Sequence, residues 1–138
     1  MKSTNNLSWH YHLRFARVIN SLGICDKSRM ILYCLLVDDK PWRVQTLADY
    51  IGCSRASVRH RLQSGHSGGV ATRDPVEGWT LTPMGREFYT ELFTEAHDIA
   101  SGSRRWYSPG LIRRIRAVTT AGVRNNSART YRVPTRPL

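Results

Sequence analysis

The chain has 138 residues, 41% of them hydrophobic and 22% charged, with 21 Lys and Arg against 10 Asp and Glu for a formal net charge of +11. That length and apolar content suit one domain with a modest core and exclude a disordered or fibrous chain. No run approaches the ~20 apolar residues of a membrane-spanning helix, nor does the start read as a signal peptide. The excess of cations favours a polyanionic partner, nucleic acid ahead of an anionic membrane surface.

The charge is unevenly spread. Residues 1–98 hold 12 basic residues and all 10 acids, whereas residues 99–138 hold 9 Arg and no acid. Three cysteines, Cys25, Cys34 and Cys53, form no close motif and leave one odd, which points to free thiols in a reducing cytoplasm.

Leu7, Tyr11, Phe15, Val18 and Leu22 recur at helical steps, so a first helix is expected to end at Gly23. A second apolar line, Trp9, Leu13 and Ala16, asks for another covering, either a partner subunit or a thick core of the same chain. Asp26 is expected to cap a helix that carries the apolar run Met30 to Val37, until Asp38-Asp39-Lys40-Pro41 stops it. Trp42-Arg43-Val44 has the composition of a short strand.

From Leu47 to Leu62 the spacing is that of two helices joined by a tight turn. Ala48 is small enough for close approach, Gly52 four residues on permits a positive φ, and Val58 lies six further on. Ser54 is the expected N-cap of the second helix, with Val58 and Leu62 as its buried seam. Arg55, Arg59, His60 and Gln63 are expected on the face opposite that seam, and a donor-rich outer face suits the DNA major groove.

Val70 to Arg73 and Trp79 to Thr82 flank Asp74-Pro75-Val76-Glu77-Gly78, a β-hairpin pattern with Arg73 near its tip, able to reach a minor groove or a phosphate. Thr82-Pro83 then opens a long helix along Met84, Phe88, Leu92, Ala96 and Ile99, with Tyr89, Phe93 and Ala100 beside them. Ser108-Pro109 opens another, with Leu111, Ile112, Ile115 and Val118 on one side and Gly122 closing it. The fold class is therefore mainly α with a small β-hairpin wing, spanning residues 1–122. Residues 123–138 are Arg-rich and expected to be disordered, with Arg124, Arg129 and Arg132 free to track phosphates.

The run Leu47-Ala48…Gly52-Cys53-Ser54-Arg55…Val58…Leu62, then Gly69-Val70 and Leu81-Thr82-Pro83-Met84-Gly85-Arg86, resembles the MarR family of winged-helix transcription regulators. The resemblance covers about residues 7–122 and implies a homodimer held by N- and C-terminal helices. It implies that the second motif helix enters the major groove and the wing the adjacent minor groove. Ser54, Arg55, Arg59 and His60 would then be helix contacts and Arg73 the wing contact. Three departures stand out: Arg61 where relatives carry a buried aliphatic, a short wing with acidic Asp74 and Glu77 at its tip, and the Arg-rich end.

Many members of that family answer to a small molecule, often a phenolic acid. Trp9, His10, Tyr11, His12, Arg14 and Phe15 are candidates to line such an effector pocket, although aromatic residues at helical spacing are more often core. Some relatives sense oxidants through cysteine. Cys25, near Lys27, is the candidate here against a plainer reading as an inert thiol, and Cys34 belongs to the core. His10 and His12 are two residues apart and face different ways on a helix, so no metal is expected. No phosphate loop, nucleophile elbow or paired carboxylates appear, so neither an enzyme nor a cofactor is expected.

The sequence thus reads as a dimeric, sequence-specific DNA-binding transcription regulator, a repressor acting by occupying a promoter, with activation left open as the alternative. The rival reading is a protein-interaction module whose basic end alone touches nucleic acid, RNA included.

Overall fold

The computed structural model describes residues 2–118, with side chains from residue 8 onward. Helices α1 (Lys2–Asn20), α2 (Asp26–Val37), α3 (Val44–Ile51) and α4 (Arg55–Ser67) come first. Strands β1 (Ala71–Asp74) and β2 (Gly78–Leu81) follow, then α5 (Pro83–Ala100). A sixth helix, α6, begins at residue 109 and continues to residue 118, where the description ends. The described chain is mainly helical with one antiparallel hairpin, an arrangement compatible with a winged helix. The proposed boundary at residue 122 and everything beyond it, Arg124, Arg129 and Arg132 included, lie outside the described residues.

One core joins all of these elements. Ile19 of α1, Ile31 and Leu35 of α2, Leu47 of α3, Leu62 of α4, Leu92 of α5 and Leu111 of α6 are all fully buried. Each such side chain contributes roughly 1.5–3 kcal/mol relative to an exposed position.

The α3–α4 turn forms as its spacing requires. Gly52 takes φ 85° as the left-handed C-cap of α3, and its N–H donates to the Ala48 carbonyl at 2.8 Å. A side chain there would be strained, which is why the turn needs glycine. Ser54 then caps α4, its hydroxyl accepting from the Ser57 N–H at 3.1 Å.

Several local expectations are corrected. Cys25, not Asp26, is the N-cap of α2; its side chain makes no capping bond, and Asp26 lies in the first turn, where a carboxylate still favours the helix dipole. Of the expected strand Trp42 to Val44, only Trp42 pairs, as an isolated bridge to Trp79, while Arg43 occupies the N-cap position of α3 without a side-chain capping bond and Val44 begins the helix. Asp74 pairs with Gly78, so the hairpin loop is three residues and not five. The Asp74 carboxylate closes that loop by accepting the N–H groups of Val76 and Glu77, at 2.8 and 2.7 Å.

Along α5 the buried line runs through Gly85 while Met84 stays exposed. A Cβ at Gly85 would collide with the Val70 carbonyl, so the glycine lets the helix press against the base of the hairpin. Thr82 locks this junction, accepting from the Gly85 N–H at 2.9 Å and donating to the Gly69 carbonyl at 2.8 Å.

Beyond α5 the chain turns at a buried carboxylate. Glu95 accepts from the Ser108 N–H at 2.7 Å and from its hydroxyl at 2.9 Å, fixing the start of α6. Tyr107 is buried alongside and donates to the Val18 carbonyl at 2.8 Å, tying this turn to α1. Arg114 pairs with Glu91 across α6 and α5.

Candidate nucleic-acid interface

The candidate interface is built on α4. Val58 and Leu62 are 0% and 2% exposed and root the helix in the core. Ser54, Arg55, Arg59 and His60 are exposed, as a surface available to a partner requires. Gln63 departs from expectation, for it is half-buried. At about 100° of rotation per residue, Arg55, Arg59 and Gln63 form one drifting line that turns toward the hairpin, whereas His60 stands opposite the buried seam. The outer face is thus divided between His60 on the crown and Arg59 with Gln63 on the hairpin side.

Between that flank and the hairpin lies a cleft of about 260 Å³. Arg59 and Gln63 form one wall, Arg73, Asp74 and Val76 line it from the hairpin, and Arg43 enters from the start of α3. Arg73 sits one row below the turn, opposite Trp79, and not at the tip itself. Trp79 is buried, and directly opposed residues on antiparallel strands project to the same face, so Arg73 leaves the sheet on the side that looks at α4. Arg43 was missed by sequence reading. The bridge of Trp42 to Trp79 brings it beside the hairpin; the strand-like composition of Trp42 to Val44 did not say which segment it would meet.

The electrostatics of the cleft are one-sided. Among the described residues Arg43, Arg59 and Arg73 form no ion pair. Among the described residues Asp74 is the one acid lining the cleft, and the N–H groups of Glu77 and then Val76 hold its carboxyl below the usual carboxylate range. The tip itself remains acidic, with Asp74 and Glu77 exposed on either side of Val76.

On its far side α4 carries Arg61, which the sequence flags as out of place in the buried seam. It is half-buried beside the seam, not in it, with a buried Nε that has no hydrogen-bond partner among the described residues. Arg61 lines a second cavity of about 280 Å³ together with Ile31 and Leu35 of α2, Leu62 of α4 and Tyr89 of α5.

Three of the suggested effector-pocket residues of α1 pack onto α5. Tyr11 meets His97 Nδ1 at 2.6 Å, Arg14 donates to the Ala100 carbonyl at 2.8 Å, and Phe15 stacks on Phe93. These bind α1 to α5, while Trp9, His10 and His12 are exposed. Cys25 is exposed, and its thiol is held below the ordinary value, first by its hydrogen bond with Ser28 and also by the nearby Arg61 charge. Burial, with Asp38 adding to it, pushes the Cys34 thiol up, as expected of a core position.

Taken together, a helix pair with a tight glycine turn and an adjoining hairpin define a helical protein whose fold is compatible with a winged helix. No family model, no curated protein and no solved structure matches the chain.

Proposed function

We propose that this protein is a sequence-specific binder of double-stranded DNA, a MarR-like transcription regulator that acts as a homodimer and represses by occupying its operator. The observation that carries the reading is α4 itself, a helix rooted by Val58 and Leu62 with Ser54, Arg55, Arg59 and His60 left exposed beside an Arg-lined cleft. Arg is the side chain best suited to read guanine edges in the major groove, and the net charge of +11 supplies the long-range attraction. The dimer reading is supported by Trp9 and Leu13 on α1, which are 70% and 58% exposed although they form an apolar line. The described core of the same chain does not cover them, and burying them against a second copy would.

Selection of bound sequences from a random duplex library tests the proposal. An inverted repeat with half-sites about one helical turn apart is the expected product. Recovery of no preferred sequence, with binding that persists on any polyanion, would instead support an interaction module with a non-specific basic segment.

A further inference from the structure

The cleft between α4 and the hairpin draws cations from three separate elements: Arg43 before α3, Arg59 on α4 and Arg73 on β1. Backbone pairing sets their spacing. Trp42 and Trp79 exchange N–H···O bonds of 2.8 and 2.7 Å, and Trp79 in turn pairs with Arg73. Trp42, Trp79 and Arg73 therefore form one row across three chain segments, with Arg43 next to its outer member. Adjacent strands lie about 4.8 Å apart, so Trp42 and Arg73, the outer members of the row, are roughly 10 Å apart, and Arg43, next to Trp42, lines the same cleft as Arg73.

Charge and size narrow the occupant. Three arginines and one carboxylate line the cleft, and the Oδ1 of that carboxylate already accepts two turn N–H groups. The excess of positive charge has no counter-ion among the described residues. At about 260 Å³ the cleft falls below the ~300–1,000 Å³ of pockets that enclose drug-sized ligands. A phosphodiester is small and anionic, and its oxygens match the forked donors of arginine. The hairpin tip has the opposite character. Val76 is 70% exposed between two acids, and such a tip is repelled by the phosphates that border a minor groove.

We propose that one backbone phosphodiester of the bound duplex sits in the cleft between α4 and the hairpin, held jointly by Arg43 and Arg73 with Arg59 beside them. The hairpin then grips a strand from its side, and its acidic tip stays out of the groove. This inference rests on the duplex-binding reading above and adds to it a contact residue, Arg43, and a docking mode for the hairpin.

Salt titrations on one selected duplex test it, with wild type, Arg43→Ala, Arg73→Ala, the double variant and Asp74→Asn, each checked for folding by circular dichroism. Each neutralised phosphate contributes about 0.9 to the slope of log affinity against log salt. Because the two arginines share one phosphate, each single variant should lose up to about 0.9 of slope, and the double variant no more than about 0.9 in all. The ranking of duplex sequences should not change, and Asp74→Asn should bind more tightly than wild type. Unchanged slopes, or losses that add to about 1.8 in the double variant, overturn the shared seat while leaving duplex binding intact. Weaker binding by Asp74→Asn overturns the docking mode. A wild-type protein that binds no duplex removes the duplex-binding reading, and this inference with it.

Discussion

Single residues on α4 and α5 do separable jobs. Arg59 is exposed and belongs to no ion pair among the described residues, so its replacement should leave the fold intact. Arg59→Ala should weaken binding to the selected duplex by about 1–3 kcal/mol, measured by equilibrium titration, with melting temperature unchanged. Tyr89 offers a pH signature of a different kind. Burial pushes its phenol up to about 12 from an ordinary value of 10.0. A group whose pKa is raised by folding stabilises fully below the unfolded value and loses that contribution as pH rises toward the folded one. Chemical denaturation should therefore show stability falling between about pH 10 and 12, by on the order of 2 kcal/mol from this residue. Tyr107, raised first by burial and then by Glu95, adds to the same alkaline loss. Tyr89→Phe should flatten the profile without abolishing it.

At the scale of elements, the ends of helices decide how the candidate interface is supported. The carbonyls at the end of α2 are taken up by Arg86 of α5, which donates to Leu36 at 2.9 Å and to Leu35 at 3.3 Å. Its guanidinium also lies 3.9 Å from Asp39. This clamp locks the central helix to the helix that follows the hairpin. Arg86→Ala leaves those carbonyls without their charged donor and should cost about 1–2 kcal/mol, seen as a melting temperature several degrees lower. Since Arg86 lies outside the cleft and away from α4's exposed side chains, duplex affinity below the melting range should hold. A large affinity loss in a fully folded Arg86→Ala protein would show that α5 takes part in binding directly.

For the whole molecule, the proposed dimer gives a prediction in mass. Sedimentation at micromolar concentration should show a species of twice 15.8 kDa. Replacing Trp9 and Leu13 together with Ser should shift it to monomer, because these side chains are exposed in the single chain and contribute little to its own core. Duplex binding should then weaken, since one recognition helix without its partner holds a single half-site. A wild-type monomer that binds an inverted repeat tightly would overturn the dimer.

Local rules made much of this legible in the amino-acid sequence. Helix periodicity placed α1, α5 and α6, and the Ala48, Gly52 and Val58 spacing placed the α3–α4 turn, because these depend on steric and capping requirements a few residues apart. Ser54 and Thr82 were readable as caps for the same reason, each accepting an N–H three residues ahead. What depends on distant segments was not readable. Arg43 joins the cleft only because Trp42 meets Trp79, a pairing between segments that have the whole α3–α4 unit and β1 between them. The separation of Arg59 and Gln63 toward the hairpin from His60 on the crown, the place of Arg61 beside rather than within the seam, and the capping of α2 by Arg86 are likewise decisions of packing. Side-chain type and spacing fix what a helix can present. Which neighbour covers each flank is set only when the core closes, because burial is a property of the assembled chain and not of any one segment.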